Sequence, residues 1–261
     1  QGRSPHLPLT LGLHTGDELV MQQWLRVLPG QRYVGRGTWQ GRSVLAKLFV
    51  GSKAQRHFQR ELSGVQHLAQ QQLPTPQLLA CDYDAAFGGW ILFEFLEGAI
   101  SLEQQWQRVA ALPLLATEQQ QVLGQALRCI AAMHNQGLYQ HDIHLDNFLQ
   151  HASQLYVIDG GGIAAETVGQ PLGTEAALKN LAVFFAQLPA ALDQHLDSLL
   201  AVYLQAASGQ HILLSQLRRQ VSMVHAWRIK DYLRKTARDC TLFSVQRSAS
   251  GVVAVQRQHL E

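Results

Sequence analysis

The sequence predicts a bilobal α+β fold: a small N-terminal lobe over residues 1–97, built from an antiparallel sheet and one helix, and a mainly helical lobe over residues 98–261. Three observations predict it. Strand-like runs separated by glycine-bearing turns fill Trp24 to Phe49. Apolar residues then recur at helical spacing from Lys53 to Gln70. From Ser101 onward the periodicity is helical except in one stretch, Tyr139 to Gly162, which reads YQHDIHLDNFLQHASQLYVIDGGG and concentrates the oxygen-bearing side chains.

Composition sets the limits within which this fold must work. At 261 residues, with 47% hydrophobic and 15% charged residues, the chain can bury a substantial core. A net charge of +2 and a pI near 8.5 do not by themselves demand a nucleic-acid partner. Cys81, Cys129 and Cys240 are far apart and outside any metal-ligand spacing, so buried thiols in a reducing compartment are expected. No apolar run approaches the roughly 20 residues of a spanning helix and no signal pattern opens the chain, so a cytoplasmic protein is expected.

Residues 3–20 contain Pro5, Pro8, Gly12 and Gly16 and read as a loosely structured lead-in. Trp24 to Leu28, Arg32 to Trp39 and Ser43 to Phe49 form a three-strand meander that turns at Pro29-Gly30-Gln31 and Gln40-Gly41-Arg42. The first turn offers backbone N–H groups around Gly30 and the Arg32 side chain to phosphate oxygens, although an ordinary hairpin explains Gly30 equally well. Lys47 interrupts the apolar run VLAKLF, where a lysine is costly to bury without an anionic partner. Phe58, Leu62, Val65 and Ala69 mark one face of a helix, with Glu61 at its border and able to turn inward. Pro74 and Pro76 end that region. Gln77 to Asp82 and Trp90 to Leu96 read as strands. Ser101 and Glu103 start one helix, and Thr117 with Gln120 has the form of a capping box opening another that runs from Val122 to Met133.

Singly, Asp142, Asn147 and Asp159 are ordinary turn formers. Together they read D-x-x-x-x-N, then a short strand ending in D-x-G, which is the catalytic-loop pattern of kinases. In that pattern the first Asp orients the attacking hydroxyl and accepts its proton, while the Asn and the second Asp ligate Mg²⁺ on the ATP phosphates. The full order, from strand lysine and helix glutamate through a strand-end hinge and a long helix to this loop, is that of a protein-kinase-like fold. Its hinge atoms would be the Glu94 C=O and the Leu96 N–H, facing adenine.

The segments FQRELSGVQHL, LPTPQLL, GLYQHDIHLDNFL, LYVIDGGG and DYLRKTARDCTLF further resemble the bacterial lipopolysaccharide core kinase family, which includes heptose and Kdo kinases and InaA-like relatives. The resemblance runs from about Trp24 to Phe243. It implies transfer of the ATP γ-phosphate to a sugar hydroxyl of the lipid A–core acceptor, at the cytoplasmic face of the inner membrane, with Mg²⁺. Asp142 becomes the catalytic base, with His144 as a hydrogen-bond donor where kinases place a lysine. Asn147 and Asp159 become metal ligands, Lys47 and Glu61 the phosphate-holding pair, and Gly30, Arg32, Glu94 and Leu96 further nucleotide contacts. Several positions depart from the protein-kinase pattern. Gln140 and His141 replace His-Arg, Asn180 stands where a structural Asp is expected, and Gly160 replaces the Phe of D-F-G, which should loosen the switch that Phe packing provides. These departures keep open a catalytically silent binding protein, and a phosphotransferase for another small molecule is a third reading.

Only about twenty residues follow Asp159 before Lys179, with no A-P-E motif, which favours a small or sugar acceptor over a protein. Toward the C-terminus, Lys230, Arg234 and Arg238 share one helix face, with Ile229, Leu233 and Ala237 as the core-facing stripe opposite. Like charges at that spacing cost roughly 0.2–0.5 kcal/mol per pair. The basic face is therefore expected to meet phosphorylated core sugar or anionic lipid head groups. Nucleic acid is disfavoured, since no aromatic platform accompanies the charges.

Overall fold

Alternation of Leu9, Leu11 and Leu13 outweighs the prolines around it and makes a strand where a loose lead-in was expected. In the computed structural model, which describes residues 5–13, 15–236, 243–248 and 251–256, β1 (Leu9–Gly12) pairs antiparallel with β2 (Glu18–Leu28), and Leu13, Leu19 and Met21 are buried. The expected meander follows as β2, β3 (Arg32–Trp39) and β4 (Arg42–Phe49). Next come α1 (Ala54–Gln70), β5 (Leu78–Asp84) and β6 (Gly88–Glu94), giving a six-stranded sheet in the order β1-β2-β3-β4-β6-β5. Bulges in β2 let its backbone close on β3: a Cβ on Gly35 would lie 2.3 Å from the Gln23 carbonyl oxygen. One set of apolar side chains includes Leu19, Met21, Val44 and Leu92. A second, Phe49, Phe58, Val65, Ile91 and Phe93, packs α1 against the strands.

The helical part begins at β7 (Ile100–Ser101) and α2 (Leu102–Val109), where Ser101 and Gln104 close a reciprocal capping box. The box expected at Thr117 does not form. Helix α3 (Thr117–Asn135) starts one residue earlier than that pattern requires, so Thr117 lies inside the first turn. Its entry is held instead by the buried Gln119, which accepts from the Leu115 N–H at 2.8 Å and donates to the Val109 carbonyl at 2.9 Å.

Short strands β8 (Leu138–Gln140), β9 (Phe148–His151), β10 (Gln154–Val157) and β11 (Ile163–Ala165) then shape the loop region, with β9 between β10 and β7 and β11 against β8. Helices α4 (Thr174–Phe185), α5 (Leu196–Ala206) and α6 (Leu214–Thr236) complete the larger core around Leu123, Leu127, Leu181, Phe185 and Tyr203. A hairpin, β12 (Phe243–Ser248) and β13 (Gly251–Gln256), follows.

Two expectations are corrected here. The α6 stripe is not core-facing: Ile229 is 63% and Leu233 59% exposed, and among the described residues the helix buries Leu217 and Val221 in its first half. Ala237 and Arg238 lie outside the described residues. Cys81 and Cys129 are free thiols; Cys81 is half-buried, whereas burial pushes the Cys129 thiol up to about 12, and Cys240 lies outside the described residues. No helix among the described residues is long and apolar enough to cross a membrane.

Candidate active site

The strand period turns Lys47 of β4 inward, where it is 8% exposed, and the helical period turns Glu61 of α1 to meet it. Lys47 Nζ lies 2.5 Å from Glu61 Oε1 and 5.7 Å from the centre of the Phe93 ring. A carboxylate that is 1% exposed needs more than one partner to offset its lost hydration. Glu61 has them: Oε1 also accepts from the Gly160 N–H at 3.1 Å, and Oε2 accepts from the Gly161 N–H at 3.0 Å.

The glycine triplet is therefore tied to α1, and the contact leaves no room for side chains. A Cβ on Gly64 would lie 1.9 Å from the Gly160 carbonyl oxygen, and a Cβ on Gly160 would lie 2.6 Å from the Glu61 carbonyl oxygen. The expectation that a missing Phe loosens this region is thus reversed. Glycine allows the helix and the turn to close on each other through backbone atoms.

Asp159 precedes the triplet in a left-handed conformation, φ 66°, which Asp tolerates better than most residues. Its side chain is 40% exposed, 3.6 Å from Lys47 Nζ and 3.8 Å from the Arg32 guanidinium. The buried Gln140 side chain fixes the backbone beneath it, donating to the Ile158 carbonyl at 2.9 Å and the Asp159 carbonyl at 3.1 Å. Asn147 is buried one strand away: its Oδ1 accepts from the His144 N–H at 3.1 Å, and its backbone carbonyl accepts from the Ile158 N–H at 2.9 Å.

A second buried network holds the loop from the helical side. Asn180 Nδ2 donates to the Gln140 carbonyl at 2.7 Å, so its Oδ1 is left to accept from His134 Nε2–H at 3.0 Å. That tautomer leaves His134 Nδ1 to accept the Tyr203 hydroxyl at 2.8 Å. Burial pushes the His134 pKa down to about 4, against a smaller upward effect of the Asn180 hydrogen bond. Asn180, which the sequence places at a structural position, bridges helix α4 to the loop. His134 and Tyr203 had no signal in the sequence beyond lying in apolar helices.

These elements enclose a cleft of about 250 Å³ whose lining includes Arg32, His57, Arg60, Asp142, Asp159 and Gly161. Asp142 is exposed within it. Among the predicted residues, the structure thus brings together Arg32, Lys47, Glu61, Asp142 and Asp159. His144 is not among them: it lines a separate cavity of about 550 Å³ with Trp106, Phe184 and Arg228. Gly30, at φ +70°, forms the exposed turn whose neighbours Gln31 and Arg32 reach the cleft.

Glu94 and Leu96 do not line this cleft. Glu94 exchanges hydrogen bonds with Gln77, through its own N–H and its carboxylate, each at 2.9 Å, and the Leu96 carbonyl accepts from the Ala99 N–H; none of these bonds uses the Glu94 carbonyl or the Leu96 N–H. Lys230 and Arg234 are exposed on α6, with Arg234 paired to Asp231 at 2.5 Å, and Arg238 lies outside the described residues. The cations that do line the groove of about 1,110 Å³ between α6 and Asp142 are Lys179, Arg228 and Lys235. Among the described residues no cluster of three His, Cys, Asp or Glu side chains forms a metal cage. Asn147 and Asp159 would leave most of a cation's shell to phosphate and water, the arrangement Mg²⁺ favours.

The family model for the lipopolysaccharide kinase (Kdo/WaaP) family matches residues 33–160, from β3 through the first glycine of the triplet. Among solved structures, WaaP in complex with acyl carrier protein is similar at a TM-score of 0.56 and 20% identity, covering 82% of this chain and 89% of that chain. A search of the curated proteins finds no match. The structural likeness shows the fold: an α+β kinase-like architecture with an antiparallel N-terminal sheet, its helix, and a helical C-terminal part.

Proposed function

We propose that the chain, whose residues 33–160 match the lipopolysaccharide kinase (Kdo/WaaP) family model, is a member of that family and transfers the γ-phosphoryl group of ATP to a heptose or Kdo hydroxyl of the lipopolysaccharide core. The observation that carries the reading is one cleft lined by Asp142, Asp159 and Glu61, with the buried Lys47 paired to Glu61 and 3.6 Å from Asp159. In this reading the exposed Asp142 carboxylate orients the acceptor hydroxyl and takes its proton as the oxygen attacks phosphorus. Lys47, positioned by Glu61, and Arg32 at the start of β3 hold phosphate oxygens. Asp159 and Asn147 hold Mg²⁺, which when bound neutralises charge on the transferring phosphates. Glu61 acts at one remove, fixing both Lys47 and the backbone after Asp159. His144 lines the neighbouring cavity and is assigned no step in this reading.

The test is Mg²⁺-dependent ATP binding followed by ³¹P-detected transfer to purified truncated lipopolysaccharide cores, with the wild type beside Asp142→Ala. Transfer by the wild type that disappears in the variant, with nucleotide binding retained, is the expected result. Nucleotide binding without transfer to any core would point to a different acceptor, and absence of Mg²⁺-ATP binding would overturn the kinase reading.

A further inference from the structure

Helix α1 carries a charge distribution that its own stability does not explain. Lys53 at its N-cap and Arg56, His57 and Arg60 in its first two turns form an exposed or half-buried basic face, and the first turn holds no acid. Like charges three and four residues apart repel, and cations near a helix N-terminus oppose its macrodipole. The acid within this face, Glu61, is turned inward and already committed to Lys47 and two backbone N–H groups. Among the described residues, none of the four basic side chains makes an ion pair or side-chain hydrogen bond. Burial, and then the charges of Arg32, Arg56, Arg60 and Lys53, hold the His57 pKa below its ordinary value.

Two members of this face, His57 and Arg60, line the same cleft as Asp142 and Asp159. Nucleotide phosphates already have Lys47 and Arg32 there, both of which lie near Asp159, whereas Arg60 is exposed and uncommitted. We propose that Arg60 and His57 form a binding site for an anionic group of the acceptor, a phosphate or a carboxylate, beside the hydroxyl that Asp142 receives. This rests on the kinase reading above and deepens it. The guanidinium fork of Arg60 matches the paired oxygens of either group, and the unpaired basic face is the cost the helix bears for the site. An acceptor stripped of negative charge is then a poorer substrate although its hydroxyl is intact.

The experiment compares wild type, Arg60→Gln and His57→Gln in two measurements. One is binding of deacylated core oligosaccharide, native or with phosphates removed and carboxyls reduced, in the presence of Mg²⁺ and a non-hydrolysable ATP analogue. The other is the KM for the same acceptors, with analogue affinity measured separately. The wild type should favour the native oligosaccharide at least tenfold, and each variant should lose most of that preference while its nucleotide affinity changes less than twofold. A preference that survives in both variants overturns the proposal, as does a tenfold loss of nucleotide affinity, which would give the site to the nucleotide's own phosphates. Selective, Arg60-dependent binding with no turnover in the wild type would sink the kinase reading and leave the anion site standing. Arg60 is exposed, so matched thermal melts separate these outcomes from misfolding.

Discussion

Two buried polar networks grip the loop between β8 and β11, and they do it with opposite chemistry. On the sheet side, Lys47, Glu61 and the N–H groups of Gly160 and Gly161 form a charged cluster that opens onto the cleft through Asp159. On the helical side, Tyr203, His134 and Asn180 hand a chain of neutral hydrogen bonds to the Gln140 backbone, with His134 and Gln140 fully buried. In the kinase reading the charged cluster is the one that anionic phosphates would meet. The side chains of the neutral one, Tyr203, His134 and Asn180, do not line the cleft, and a low-dielectric interior tolerates such neutral bonds better than ions.

The largest effect that would break this contrast is expected from Glu61→Ala. It leaves Lys47 buried without its partner and frees two N–H groups, a loss of about 3–5 kcal/mol in urea unfolding. The double variant Lys47→Met, Glu61→Gln should recover much of that stability without recovering activity. Next comes acid. The His134 pKa is about 4 when folded against 6.5 for the ordinary side chain, so the unfolded chain takes up a proton first as pH falls. The stability from keeping His134 neutral is whole above pH 6.5 and is lost between there and about pH 4, a contribution on the order of 3 kcal/mol. Thermal melts across that window should slope less steeply in His134→Gln. If the slope is unchanged, the helical-side network is not what acid breaks.

Smaller effects sharpen the comparison. Gly64→Ala should cost about 1–3 kcal/mol by forcing α1 off the Gly160 carbonyl, and phosphoryl transfer should fall with it, because Glu61 moves too. Asn180→Ala should cost about 1–3 kcal/mol through unpaired buried groups while leaving nucleotide affinity within about twofold, since the lost bonds are remote from the phosphates. Equal losses of nucleotide affinity in the two variants would show that the networks are not separable.

The charged network was legible in the sequence because its parts announce themselves locally. A lysine inside VLAKLF, a glutamate at the edge of an apolar helix face, and D-x-x-x-x-N before a strand and D-x-G are each visible within about twenty residues. The neutral network was not: His134 and Tyr203 meet across 69 positions, and nothing in either helix distinguishes a bonded polar residue from a core neighbour. Periodicity also failed at α6 in an instructive way, finding an apolar stripe at Ile229 and Leu233 but not whether anything lies against it. At β1 the prolines were overread, because leucines at every second position need only one partner strand to settle.

The backbone contact between Gly64 and Gly160 also limits how the protein can be controlled or inhibited. Where a bulky side chain after the metal-binding Asp can swing out, it leaves a vacancy that a small molecule can occupy and an inactive shape that a cell can select. Here the helix already fills that space, against a turn with no side chain to displace. In the kinase reading an inhibitor would therefore have to compete in the open cleft, since this turn has no side chain whose movement would open a second space beside it.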